Sequence, residues 1–294
     1  MAGWALDVDV SVSEPPFHSI AIAGLGLIGG SIALGVRERW PAARVFGVDT
    51  PAVAAHVLGS GAIDKAFESV AALPNVPLVI LAAPVRQNIE LLQQVAGRRS
   101  ACTVTDVGGT KRAIVEAARA LSREITFVGG HPLGGGERGG FAFARPDLFA
   151  GRPWILSADG EASAAVERLS RFVEGLGARP LRVEAAQHDR LMAFVSHLPQ
   201  LTASALMETV GSAAQSEGLR MAGRGLVDTT RLASSPADVW RDICLTNADA
   251  IGGALDCLIA RLTQLRDDLG RGDTVDAVFT AAAKWRADLL RERE

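Results

Sequence analysis

The sequence predicts an α/β domain with a mostly parallel sheet, followed by an all-helical domain. Three observations carry this expectation. Short apolar and β-branched runs alternate with helix-forming runs from Phe17 to about Val183. An early one of those strand-to-helix transitions passes through three spaced glycines. Beyond about Glu184 the strand signals vanish, and helix-forming runs continue to the C-terminus. Alternation of this kind places helices on both faces of a parallel sheet. The domains are expected at residues 17–183 and 184–294, behind a loose N-terminal tail of residues 1–16.

Bulk properties narrow the class. With 294 residues, 48% of them hydrophobic, the chain can bury a sizeable core and is not disordered. A net charge of −3 with no basic cluster argues against a nucleic-acid partner. Cys102, Cys244 and Cys257 are scattered, which fits neither a disulfide framework nor a metal site and suits a reducing, cytoplasmic compartment. The longest nearly apolar run, Val76 to Val85, is too short to span a membrane, and the first sixteen residues lack the basic start and apolar core of a signal peptide.

The first strand, Ile20 to Ala23, runs into Gly24-Leu25-Gly26-Leu27-Ile28-Gly29 and then into a helix. Gly24 permits the tight turn, Gly26 lets the backbone lie against a pyrophosphate, and Gly29 lets helix and strand pack closely. Leu27 and Ile28 open the helix, whose free N–H groups and positive dipole end point at the phosphates. A second strand, Arg44 to Val48, ends on Asp49, twenty residues after Gly29. A carboxylate there accepts from both ribose hydroxyls of NAD and would repel the 2′-phosphate of NADP. The domain thus reads as Rossmann-like, with NAD as cofactor.

A helix is predicted from Pro51 to Ser60, closed by Gly61. Leu78 to Ala83 is a continuous apolar run, as expected of a strand buried on both faces. It delivers Ala83 and Pro84 to the cofactor crevice; Arg86 either follows them there or begins a solvated helix. The next strand, Thr103 to Asp106, enters Gly108-Gly109-Thr110-Lys111 and a helix from Arg112 to Leu121. Asp106 and Lys111 sit at its functional end; a plain turn with a capping Asp is the alternative. Ile125 to Gly130 then delivers His131 onto a loop with five nearby glycines. A histidine so placed can serve as general base near neutral pH, and Glu137 could orient or balance it. Trp154–Leu156 and Arg179–Val183 read as the last strands, flanking a helix with Val166, Leu169, Phe172, Val173 and Leu176 inward.

In the second domain a helix from about Ala186 to Gly211 contains Pro199, which should kink it. Ser196, His197 and Gln200 cluster at that kink. Arg224 to Ala233 reads as a polar connection holding Asp228, Thr229, Thr230 and Arg231. Ser235 is expected to cap the next helix, with Pro236 in its first turn. Ile251, Leu255, Leu258, Leu262, Leu265 and Leu269 form a heptad seam that suits either packing within the chain or a two-fold dimer. Asp273 is expected to cap a last helix with Val275, Val278, Phe279, Ala282, Trp285 and Leu289 inward.

The order of these motifs resembles the prephenate and arogenate dehydrogenases of tyrosine biosynthesis. The resemblance rests on the glycine motif from Gly24 to Ser31, Ala83-Pro84-Val85, Thr105-Asp106-Val107-Gly108, Gly129-Gly130-His131-Pro132, Ser196-His197-Leu198-Pro199, Asp228-Thr229-Thr230-Arg231 and Trp240-Arg241-Asp242. It implies NAD(P)-dependent oxidative decarboxylation of a cyclohexadienyl substrate by a homodimer joined through the helical domain. Hydride passes from the ring carbon bearing the hydroxyl to nicotinamide, and the ring carboxylate leaves as carbon dioxide. His131 would take the hydroxyl proton. Arg231 would pair with a substrate carboxylate. Ser196, His197, Gln200, Thr110 and Glu137 would line the substrate side.

Two positions depart from the family pattern. The family usually has a serine where this chain has Gly109, next to Thr110, and often a histidine where it has Gln200. These changes leave prephenate, arogenate and an amino-substituted prephenate all open as substrates. Two further readings compete: another two-domain NAD(P) oxidoreductase of the β-hydroxyacid dehydrogenase or imine reductase kind, and a non-enzymatic dinucleotide sensor on the same scaffold.

Overall fold

The computed structural model describes residues 14–97, 100–136, 138–158 and 164–291. Residues 1–13 of the expected tail lie outside that set, as does Glu137. Pro16, assigned to the tail from sequence, is held: its carbonyl accepts from Arg168 Nε at 2.5 Å.

The first half is one eight-stranded sheet. Its strands are β1 (Ser19–Ala23), β2 (Arg44–Val48), β3 (Lys65–Phe67), β4 (Leu78–Leu81), β5 (Cys102–Asp106), β6 (Ile125–Pro132), β7 (Pro153–Ser157) and β8 (Arg179–Arg182). Their spatial order is β3-β2-β1-β4-β5-β6-β7-β8. Every pairing is parallel except β6 with β7, where His131 faces Ile155. The helices of this half are α1 (Leu27–Arg39), α2 (Pro51–Gly59), α3 (Val85–Ala96), α4 (Arg112–Ala118) and α5 (Ala164–Gly175).

Period-2 alternation along β1 divides the core. Ile20 and Ile22 face the cluster that holds Trp40, Trp154 and Phe172. Ala21 and Ala23 face the cluster that holds Leu92 and Val95 of α3 and Ile114 of α4. Every residue of β4 is buried, which explains its unbroken apolar run. The order reverses on either side of β1 and β4, so the carboxyl ends of those strands open a crevice there.

The second half comprises α6 (Ala185–Met192), α7 (Leu198–Leu219), α8 (Arg224–Thr229), α9 (Ala237–Thr246), α10 (Ala248–Asp268) and α11 (Asp273–Arg291). A single π-helical stretch, Ala193–His197, joins α6 to α7. It replaces the kink expected inside one helix. Pro199 has no N–H to give the carbonyl four residues back, and a widened turn accommodates the loss at the helix start. The stretch read as a polar connection is α8 plus a 3₁₀ turn, Arg231–Ser234.

Two caps differ from expectation. Pro236 occupies the cap position of α9, while the Ser235 hydroxyl donates to Gln200 Oε1 at 3.1 Å. The entry to α11 is held by Asp268, whose Oδ2 accepts from the Thr274 N–H at 2.5 Å, whereas Asp273 is already the first helical residue. The inward face expected of α11 is also corrected. Phe279 and Trp285 are each 70% exposed, and Leu289 is exposed. On the seam of α10, Ile251 is buried, but Leu262 and Leu269 are exposed. Among the described residues no layer lies outside these helices to cover them. Among the described residues no single helix is long and apolar enough to cross a membrane.

Candidate active site

The glycine turn has the shape its sequence implies. Gly24 has φ +97°, and a Cβ there would lie 2.5 Å from the Ala82 backbone. A Cβ on Gly29 would lie 1.9 Å from the Gly24 carbonyl oxygen. Both positions therefore exclude a side chain. A Cβ on Gly26, in contrast, would meet nothing within 4 Å, so the backbone is bare toward open space. That space is a cleft of about 610 Å³, lined among others by Gly24, Gly26, Asp49, Ala83, Pro84 and Gln87. Leu27, Ile28 and Gly29 begin α1 beside it.

The Asp49 carboxylate braces the turn, accepting from the Leu25 N–H at 2.6 Å and the Thr50 N–H at 2.7 Å. Asn88, unremarkable in the sequence, shapes the opposite wall. Its side chain is buried, accepts from Ala83 N at 3.0 Å and donates to the Leu81 carbonyl at 3.1 Å. The Arg86 backbone N–H, at the start of α3, donates to Asp242 of α9 at 3.3 Å. Arg86 thus opens a helix that the second half caps.

Asp106 requires a correction. It was expected at the functional end of its strand, facing the cofactor crevice, yet it is completely buried. Its carboxylate accepts from Lys111 Nζ at 2.5 Å, Gly108 N at 2.8 Å and Gly130 N at 3.0 Å. A carboxylate that must remain charged indoors needs such partners, and they leave it no ligand-facing oxygen. Lys111 is equally buried; desolvation lowers the pKa of its ammonium, against the pull of Asp106. The pair fixes the ends of β5 and β6, and so fixes the strand that carries His131.

His131 lies within β6 and is partly exposed. The glycine-rich loop begins just beyond it, with Gly136 against the Leu27 side chain of α1 and Phe141 against Gly30. His131 Nδ1 is 2.8 Å from His188 Nε2, and His188 Nδ1 is 2.8 Å from Asp189 Oδ1. His188 and Asp189 are both buried in α6. Burial holds the His131 pKa well below the usual imidazole value, and neighbouring His188 and Lys111 push it the same way. The ring is therefore neutral, as a base must be.

The remaining predicted residues divide into two groups. His197, on the π-helical stretch, is buried, with Nδ1 3.4 Å from Asn247 Nδ2 and its ring edge-on to Trp240. Burial lowers its pKa to about 4, although Asp189 pulls the other way. Thr110 is fully buried, its hydroxyl 2.8 Å from that of Thr246. Gln200 is buried, donating to the Leu232 carbonyl at 2.7 Å while accepting from Ser235. Thr110 and Gln200 were expected to touch ligand. Their polar atoms are instead spent inside the protein, and Gln200 anchors the turn that presents Arg231. Ser196 is partly exposed, and Arg231 is exposed.

Sequence reasoning missed His188, Asp189, Asn247, Thr246 and Asn88. The only signal was two adjacent polar residues, His188-Asp189, early in a helix. Their partners lie 57 and more residues away, so periodicity gave them no role.

A dinucleotide cleft at the switch point of a parallel sheet, with a neutral histidine at the seam with a helical half, defines a two-domain dinucleotide-dependent oxidoreductase. Comparison with known proteins makes this particular. Residues 32–181 match the prephenate dehydrogenase nucleotide-binding domain, and residues 184–280 match the prephenate dehydrogenase dimerization domain. A prephenate dehydrogenase of Bacillus subtilis is 36% identical over 290 residues, covering 94% of this chain and 77% of that protein. A cyclohexadienyl dehydrogenase of Zymomonas mobilis is 30% identical over 290 residues, covering 95% of this chain and 98% of that protein. The crystal structure of prephenate dehydrogenase from Aquifex aeolicus in complex with hydroxyphenyl propionate and NAD+ superposes with a TM-score of 0.85 at 28% identity, covering 92% of this chain and 98% of that one.

The chain belongs to the prephenate dehydrogenase family. It is an oxidoreductase that uses a nicotinamide dinucleotide in the oxidative decarboxylation of prephenate-type cyclohexadienyl acids for tyrosine biosynthesis. The β-hydroxyacid dehydrogenase, imine reductase and sensor readings fall with that assignment.

Proposed function

We propose that the chain is an NAD-dependent dehydrogenase of prephenate, or of its amino-acid analogue arogenate, working as a homodimer with His131 as general base. The observation that carries this reading is the His131 ring. It is neutral, sits at the end of β6, and has Nδ1 occupied by His188, so Nε2 is the nitrogen left for substrate.

The chain's own residues suit the cofactor. The bare backbone at Gly26 and the first turn of α1 would receive the pyrophosphate. Asp49, on the rim of the cleft, would accept from the adenosine ribose and oppose a 2′-phosphate, which favours NAD over NADP. When bound, the nicotinamide supplies the two-electron acceptor.

His131 Nε2 would take the ring-hydroxyl proton as carbonyl character develops. Arg231, on a turn anchored by Gln200, would pair with a substrate carboxylate and hold the ring in place. Ser196 would line the same side, and His197 would back it from within. Exposed Phe279 and Trp285 on α11, Leu262 on α10 and Leu269 just past its end support a two-fold partner, in keeping with the dimerization domain of the family.

The deciding experiment follows formation of reduced nicotinamide from NAD and from NADP, against prephenate and arogenate in parallel. Turnover of one acid with NAD is expected, and His131→Asn should lower kcat by roughly 10²- to 10⁴-fold while NAD still binds. A folded, NAD-binding protein that turns over neither acid, or an undiminished His131→Asn, overturns the reading.

A further inference from the structure

We infer that His188 and Asp189 are positioning residues that fix the tautomer of His131 and share the charge it acquires. The inference rests on the reading of His131 as the base.

The proton positions follow from donor and acceptor arithmetic. The Asp189 carboxylate receives the Lys111 N–H at 2.7 Å on Oδ1 and the Arg112 N–H at 2.9 Å on Oδ2. Backbone amides only donate, so both oxygens are acceptors. Those bonds and the one to His188 hold the Asp189 pKa below the ordinary carboxylate value, although burial acts against them. Asp189 therefore has no proton to give, and His188 Nδ1, 2.8 Å away, must carry the hydrogen of that contact. We take His188 as a neutral imidazole, whose one N–H is then spent on Asp189 and whose Nε2 is a lone pair. His131 Nδ1, 2.8 Å from it, must then be the donor. The second nitrogen of His131, Nε2, is left bare, which is the tautomer a general base requires.

The same line of atoms acts during the reaction. The substrate O–H bond breaks as an N–H bond forms at His131 Nε2. The resulting imidazolium donates its Nδ1–H to His188, whose own N–H points at the Asp189 carboxylate. The positive charge is thus met by a fixed negative one on the far side of the His188 ring, inside the protein. Position 109 is a glycine, and the neighbouring Thr110 hydroxyl is bonded to Thr246 at 2.8 Å. Where the family usually places a serine near the catalytic histidine, this chain relies on His188.

Five histidines make the protein suited to a direct test. In the ¹⁵N-histidine NMR spectrum of the full-length protein, assigned by single replacements, His131 should carry its proton on Nδ1 and His188 on Nδ1. His131 protonated on Nε2, or His188 protonated on both nitrogens in the resting enzyme, overturns the inference. This readout does not depend on turnover, so it stands apart from any failure of His131→Asn to lose activity.

A kinetic arm tests the consequence. His188→Phe should lower kcat by about 100-fold, with the KM values changed by less than about threefold. His188→Gln, whose side-chain oxygen can still accept, should recover about tenfold of that loss. A folded His188→Phe that keeps half of the wild-type kcat, or a Gln variant no better than Phe, overturns the inference. If the Phe variant does not fold, the spectrum of the wild-type protein decides.

Discussion

Asp189 of α6 accepts a hydrogen bond at 2.7 Å from the backbone N–H of Lys111, 78 residues earlier, at the start of α4. The first free amides of a helix in the dinucleotide-binding half are thus capped by a carboxylate from the helical half. Asp242 does the same for α3 through Arg86. Arg112 adds a two-pronged pair with Asp249 of α10, one arm at 2.7 Å. The two halves are therefore joined where both supply the site.

The Asp189 contact has a measurable weight. Asp189→Ala strands two amide donors and the His188 N–H in a buried place. The loss should be on the order of 3 kcal/mol, a fall in Tm of roughly 5–10 °C. Thermal melting monitored by circular dichroism checks this, and a fall of less than about 2 °C would contradict the capping role.

The glycines of the dinucleotide turn should separate into two classes. Gly26→Ala adds a methyl where nothing lies within 4 Å, so the protein should fold with its Tm almost unchanged. The methyl would stand where the pyrophosphate must lie, and NAD affinity should fall by about tenfold or more. Gly29→Ala drives a methyl to 1.9 Å from the Gly24 oxygen and should damage both stability and binding. Calorimetric titration with NAD beside melting curves would distinguish them; equal effects on both variants would refute the assignment of Gly26 to the ligand.

Acid should affect activity and stability in the same direction. His131 is neutral only above its own lowered pKa, so the acid limb of kcat/KM should fall below 6.5. The charged and titratable groups facing it are His188, Lys111 and His197. A limb at or above 6.5 would contradict the burial of His131.

His197 carries the stability side. Its pKa in the fold is about 4, below the ordinary 6.5, so the unfolded chain binds more protons between these values. Its contribution is complete above 6.5 and is lost as pH falls toward 4. Relative to His197→Asn, the wild type should lose of order 3 kcal/mol across that window. Urea midpoints at pH 7 and pH 4.5 for both proteins provide the check, and parallel losses would refute it.

The exposed faces of α10 and α11 predict the assembly. Trp285→Asp places a charge in the middle of an apolar face whose indole is 70% exposed in one chain. Light scattering should show the wild type as a dimer and the variant shifted to monomer. A variant that remains dimeric at micromolar concentration would put the interface elsewhere.

Local chemistry alone determined much of this protein. The unbroken apolar run of β4, the spacing of Gly24, Gly26 and Gly29, and Asp49 at the end of β2 each act within one strand-turn-helix unit. Their local geometry was legible because the constraint is short-range: a φ of +97° at Gly24 or a 1.9 Å clash at Gly29 arises from neighbouring backbone. The strand that carries His131 was legible from the run Ile125 to Gly130, although it extends through His131 itself.

Tertiary structure decided what depends on distant partners. Asp106 and Lys111 looked like crevice residues and proved to be a buried ion pair, because charge taken from water must find a counter-charge. Gln200 turned inward to the Leu232 carbonyl, 32 residues on, and Thr110 to the Thr246 hydroxyl, 136 residues on. His188 and Asp189 gained their roles only when α6 met α4 and β6. The periodicity of α11 marked an apolar face correctly but could not say whether this chain or another covers it, since hydrophobic burial depends on area removed from water and not on whose atoms remove it.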